Sequence, residues 1–228
     1  EWILGALYLP VFLFFLNFAI LTYFPALGFP LTEPRNYFFA NLLYMTVNFA
    51  VMLLIFRRTL WQSLREFEGK MLLSVLIGFG MCYGANLVLT TAYTVLDIMP
   101  ENYNQEAVNS LLGGYPLAMT LCTVVLAPLA EECLFRGVLF APLARRCLPA
   151  AYALSMFLFA GMHVFQFLGS MTAANTILCL SLYLPASFSL CWVYQKTGNI
   201  WACIFLHMFI NFQSVLASLL RSLMQAFL

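Results

Sequence analysis

The sequence predicts an all-α, polytopic membrane helix bundle of about seven transmembrane helices, built as a single domain over residues 1–228. Three observations carry that reading. Of the 228 residues, 64% are apolar and only 8% charged, with a mean hydropathy of +0.92, whereas a soluble domain typically carries about 25% charged residues. Apolar runs of spanning length recur along the chain, and polar punctuation separates them. Disorder is excluded because the chain is rich in aromatics and poor in charge. A net charge of +1 gives no basic footprint for nucleic acid, so the lipid bilayer is the first partner.

The elements follow in order. The first apolar run, Trp2 to Phe29, ends at Phe29-Pro30 and the polar turn Thr32-Glu33-Pro34-Arg35. It is too long for a signal-peptide core and lacks a basic flank, so it is read as a span. The second, Tyr37 to Phe56, is expected to stop at Arg57-Arg58, and Met71 to Leu96 forms the third. Tyr115 to Phe140 is the fourth, Ala150 to Leu168 the fifth and Thr172 to Tyr194 the sixth. The seventh starts near Ile200 and fades before Arg221. Between the second and third runs, Thr59 to Lys70 reads either as an interfacial amphipathic helix carrying Trp61, Leu64 and Phe67 or as a solvated connector. Asp97 to Asn109 is expected to be an open loop.

Loop charge orients the bundle. Arg57, Arg58, Arg65 and Lys70, then Arg145 and Arg146, then Lys196 fall in alternate loops, and the opposite loops hold only Arg35. The positive-inside rule therefore puts the N-terminus and the basic loops in the cytoplasm. The seven cysteines are scattered without a CxxC pair, which indicates small buried hydrophobes rather than a zinc ribbon or a disulfide framework.

Charges inside the spans are the informative anomaly, and all lie on the fourth run: Glu131, Glu132 and Arg136. Three unpaired charges near a bilayer centre would cost on the order of 8–10 kcal/mol. They must therefore face the bundle interior and be paired. Glu132 and Arg136, at i and i+4, lie within about 40° of each other and can form an ion pair. Glu131, about 100° from Glu132 around the helix, is free for another task.

The only histidines, His163 and His207, also fall inside spans, and Asn211 is one turn from His207. Glu131 is about 13 Å from the expected cytoplasmic end of its helix, His207 about 10 Å and His163 about 20 Å. That allows one level in the inner half of the membrane. A carboxylate with one imidazole can activate a water as general base. The other imidazole and the amide can stabilise an oxyanion. The same groups could instead hold a divalent metal, since two His and a Glu form a common zinc set. The His-Glu-x-x-His pattern of soluble zinc proteases is absent.

These motifs resemble a known family. Glu131-Glu132-x-x-x-Arg136, then Phe159-x-x-x-His163, then His207-x-x-x-Asn211, within Leu126 to Phe212, are similar to the CAAX-protease and bacteriocin-processing (Abi) intramembrane proteases. The resemblance implies a peptidase of a bacterial cytoplasmic membrane, with its site in the cytoplasmic half. It assigns Glu131 and His163 to water activation and His207 with Asn211 to oxyanion binding. Glu132 and Arg136 are support residues, and Phe159 packs beside His163. The implied substrates are membrane-associated peptides or proteins: bacteriocin or pheromone precursors, or prenylated CAAX tails. No cofactor is required in this mechanism; if a metal such as Zn²⁺ is bound, its ligands would be Glu131, His163 and His207. A transporter using these groups as a proton pathway, and a non-catalytic scaffold, are the competing readings. Against transport, no repeat symmetry or pair of broken helices is visible.

Overall fold

A computed structural model describes residues 1–226. Among the described residues, seven helices are long and apolar enough to cross a membrane: α1 (Trp2–Ala26), α2 (Pro34–Arg65), α3 (Met71–Val95), α5 (Pro116–Ala144), α6 (Leu148–Ser170), α7 (Ala173–Thr197) and α8 (Ile200–Ala226). A shorter helix, α4 (Tyr103–Gly114), lies between the third and fourth spans. The all-α polytopic bundle read from the sequence is therefore the architecture.

Three boundaries differ from expectation. The second span does not stop at Arg57-Arg58. It continues without a break to Arg65, because arginine is a good helix former and its long stem carries the charge outward. Its last turns are fastened inward: Trp201 Nε1 donates to the Leu60 carbonyl at 2.8 Å, and Asn199 Nδ2 donates to the Ser63 carbonyl at 2.6 Å. Most of the Thr59–Lys70 stretch is thus a helix end, neither a separate interfacial helix nor a connector. Trp61 and Leu64 still face outward from it.

The supposed open loop Asp97–Asn109 contains the start of α4. Asn102 caps that helix by accepting from the Gln105 N–H at 3.1 Å. Leu111 and Leu112 bury against Phe38, Met119 and Val215. The last span continues past Arg221 to Ala226.

The seven basic loop residues are all exposed, and the contacts between helices gather them at one end of the bundle. At that end Trp2 Nε1 donates to the Val138 carbonyl (2.8 Å) and Tyr152 to Gln195 (2.7 Å). Gly198 closes the turn between α7 and α8 with φ +62°, the left-handed conformation that suits a helix C-terminus. α4 sits at the opposite end.

The core forms around α5, which buries the largest share of its span. In a membrane, dispersion and close approach replace the hydrophobic effect between helices. Gly137 is where α5 meets α2: a Cβ there would lie 2.7 Å from the Phe56 ring, so only glycine lets these helices come so close. Apolar side chains such as Leu54, Leu73, Leu76 and Val88 cover the outside, as a lipid-facing surface requires.

Candidate active site

α5 is not a uniform α-helix. It widens into π-helical turns at Cys122–Leu126 and Cys133–Phe140, on either side of the short α-helical segment Ala127–Glu132. Such widened turns are frequent where a helix carries function. The first has a definite consequence. Ala127 N–H reaches back five residues to the Cys122 carbonyl, so the carbonyl of Thr123 would need the N–H of residue 128. That residue is Pro128, which has none. The freed Thr123 carbonyl accepts instead from Asn211 Nδ2 at 2.8 Å, which pins α8 to α5.

The next turn carries the charges. Arg136 Nη1 donates to Glu132 Oε1 at 3.0 Å, and both side chains have zero exposure. The expected ion pair is present and entirely buried. Arg136 Nη2 also donates to the Ser187 carbonyl (3.1 Å) and hydroxyl (3.2 Å), and its guanidinium lies 5.1 Å from the Phe159 ring centre. Paired charges in a dry interior need this many partners, because desolvation otherwise outweighs their attraction.

His207 joins the same carboxylate. Its Nδ1 lies 2.8 Å from Glu132 Oε1, so Nδ1–H donates and the free edge, Nε2, points to Glu131, 3.9 Å from Oε2. A carboxylate behind an imidazole fixes the tautomer and stabilises the doubly protonated ring. The cluster then contains two carboxyls, one guanidinium and one imidazole.

His163 is held separately. Its Nδ1 donates to the Phe159 carbonyl at 2.8 Å, which leaves Nε2 as an acceptor. Its ring stacks on Tyr183 with centres 4.5 Å apart. Phe159 packs between the two histidines, 5.0 Å from His163 and 5.5 Å from His207, so its ring is a spacer and its carbonyl is an anchor.

A cavity of about 750 Å³ brings the exposed edges together: Glu131, His163 and Asn211 all line it, and it extends to Asn104 and Gln105 of α4. Glu131 Oε2 has no hydrogen-bond partner among the described residues. Glu132, Arg136 and His207 stand behind the wall. Glu131 makes its ion-pair contact with His207, not with His163.

Because α5 runs on to Ala144, Glu131 is 13 residues from its basic end, about 20 Å. This places Glu131 near the middle of α5. Glu131, His163 and His207 have the donor types of a zinc site. Yet among the described residues no three His, Cys, Asp or Glu side chains converge into a set that could hold an ion.

Sequence reasoning missed four residues of this site: Thr123, Tyr183, Ser187 and Cys191. Three of them carried a signal. Tyr183, Ser187 and Cys191 recur every four residues, a polar stripe along one face of an apolar helix. Cys191 Sγ completes the Arg136 shell at 3.9 Å.

A family model described as type II CAAX prenyl endopeptidase Rce1-like matches residues 113–213. That segment encloses every residue of the cluster on α5, α6 and α8. The chain is also 28% identical over 166 residues to a Bacillus subtilis (strain 168) protein named "Putative membrane peptidase YdiL". Over residues 113–213 the chain is therefore similar to the Rce1-like type II CAAX prenyl endopeptidases. The match to the Bacillus protein covers 71% of this chain and 64% of the relative's length. No solved structure matches the chain. The family segment starts at the end of α4, so α1 to α3 lie outside it, although α1 and α2 supply part of the cavity wall.

Proposed function

We propose that this protein is an intramembrane endopeptidase. It hydrolyses peptide bonds of a membrane-associated substrate with a water activated at Glu131 and His163. One observation carries the reading: a buried carboxylate with an unpartnered oxygen lines a cavity and faces an imidazole whose other nitrogen is anchored to a second carboxylate. The proposed substrates are bacteriocin or pheromone precursors or prenylated CAAX tails.

Glu131 takes a proton from water as the water oxygen bonds to the scissile carbonyl carbon. His163 Nε2 accepts the second water hydrogen and orients the attack. The carbonyl oxygen becomes an oxyanion. It is stabilised by the Asn211 hydrogen not given to Thr123 and by the positive charge of protonated His207 behind the wall. The C–N bond then breaks, and the proton held by Glu131 passes to the departing amine. Glu132 and Arg136 are positioning residues: they keep His207 in its donor form and never meet the substrate.

The test uses wild-type protein and Glu131→Gln in lipid nanodiscs. Two quenched fluorescent peptides serve as probes, one ending in a prenylated cysteine followed by three residues and one unprenylated and apolar. Wild type should cleave at least one of them. Glu131→Gln keeps the shape but removes the base, so cleavage should fall to background, at an unchanged melting temperature. Cleavage by Glu131→Gln at the wild-type rate would refute the assignment. One stoichiometric zinc in the purified protein, lost in both His163→Ala and His207→Ala, would make those histidines ligands instead.

A further inference from the structure

One face of α2 lines the cavity with polar groups that the reaction does not use. Tyr37, Asn41, Tyr44 and Asn48 are spaced four, three and four residues apart and all line the cavity. They fall within roughly 60° of one another around the helix. Among the described residues this face makes two side-chain hydrogen bonds: Tyr8 donates to Asn48 Oδ1 at 2.8 Å, and Tyr44 donates to the Phe12 carbonyl at 2.9 Å. Asn48 is 2% exposed, yet its Nδ2 has no partner, and Thr123 Oγ1 across on α5 is equally buried and unpartnered. Asn17 of α1 adds a further carboxamide to the lining. Burying amides without partners is unfavourable, and packing does not call for them here.

The lining also defines what these groups can meet. Apart from Glu131 and His163, no acidic, basic or histidine side chain faces the cavity. The ligand portion lying against α2 is therefore uncharged but carries both donors and acceptors. The polypeptide main chain has that character, since each peptide group offers one N–H and one C=O, the complement of a carboxamide. Asn41 and Asn48 are separated by about 10 Å along the helix, the rise of roughly three residues of extended chain.

We propose that Asn41 and Asn48 form a subsite that binds the main chain of an extended substrate segment and leads it to Glu131. The inference rests on the peptidase reading, and it assigns α2, outside the family segment, the work of holding the substrate.

The experiment measures binding rather than turnover. The unprenylated apolar peptide is titrated into Glu131→Gln protein in nanodiscs. Each backbone amide is replaced in turn by an ester, which removes the N–H and weakens the carbonyl. Affinity should fall about tenfold at one or two ester positions, as a lost hydrogen bond predicts, and stay flat elsewhere. Asn41→Leu, which severs no bond within the protein, should bind the all-amide peptide about tenfold more weakly and lose the penalty at its ester position. Asn48→Leu should do the same at a second position. Unchanged ester penalties in both variants would overturn the proposal. So would a peptide that fails to bind while lipid co-purifies in the cavity. Wild type that cleaves the probe with a flat ester profile sinks the subsite alone; a positional profile without cleavage sinks the hydrolytic reading and leaves the subsite standing.

Discussion

Glu131 and Glu132 are neighbours in sequence, yet their surroundings are opposite. Glu132 has zero exposure, and its Oε1 is shared by Arg136 and His207. Both carboxylates leave Oε2 without a hydrogen-bond partner among the described residues, but Glu131 borders the cavity of about 750 Å³ and Glu132 does not. The rest of the site divides along the same line. Arg136 is tied to Ser187 and to the Glu132 carboxylate, whereas His163 and Asn211 each bond one backbone carbonyl and keep another polar atom for the cavity. The difference separates groups that hold shape from groups left free to react. A 100° step around the helix moves a carboxylate from one class to the other.

The largest departure should come from exchanging these roles. Glu131→Gln is expected to abolish cleavage and spare folding, as set out above. Arg136→Ala should do the reverse in stability. It leaves Glu132 buried without its cation, a change that typically costs about 3–5 kcal/mol, and it should lower the detergent melting temperature along with activity. If thermal melts find Glu131→Gln the less stable of the two, the division between support and catalysis is wrong.

Asn211→Ala sharpens the comparison at the next level. In the proposed mechanism the amide serves both classes at once, with one hydrogen on Thr123 and one for the oxyanion. Losing a single oxyanion donor typically lowers turnover by about 10²–10³, so residual cleavage should remain measurable where Glu131→Gln has none. A melting temperature that falls without any loss of kcat would confine Asn211 to its tie with Thr123.

Tyr183→Phe should give the smallest effect. It keeps the ring stacked on His163 but removes the hydroxyl, which donates to Asn102 Oδ1 at 3.0 Å and accepts from Asn104 Nδ2 at 3.2 Å. A lost hydrogen bond of this kind is worth about 1 kcal/mol, and kcat should fall a few-fold through His163. Tyr183→Ala, which also removes the stack, should lower kcat further. Equal kcat values for the two variants would show that the ring does not position the imidazole.

Much of this site was legible in the sequence, and the reason is energetic. A charge in a spanning segment is too costly to keep without a partner, so Glu131, Glu132 and Arg136 stood out, and i to i+4 spacing paired the last two. The chain has only two histidines, and both proved to be near that cluster. Thr123 was invisible because its contribution is a backbone carbonyl freed by a widened turn and a proline one turn on. Tyr183 and Ser187 were visible only as polar interruptions of an apolar run. α4 was read as a loop because one helix of 12 residues gives a weak periodic signal beside spans of 23 residues or more.

The sequence alone determined the polytopic membrane bundle, its seven spans and the residues of the candidate site. Composition and local spacing decide those, and both are properties of the chain read in order. Tertiary structure decided which imidazole stands beside which carboxylate. Spacing along single helices allowed Glu131 to serve with His163, but the packing of α8 against α5 sets His207 Nε2 3.9 Å from Glu131 and His207 Nδ1 on Glu132. It also decided that α2, with no charged or histidine side chain facing the site, supplies a polar wall of the cavity. Contacts between helices depend on crossing angles, glycine approaches and widened turns, and these are settled only when distant segments meet.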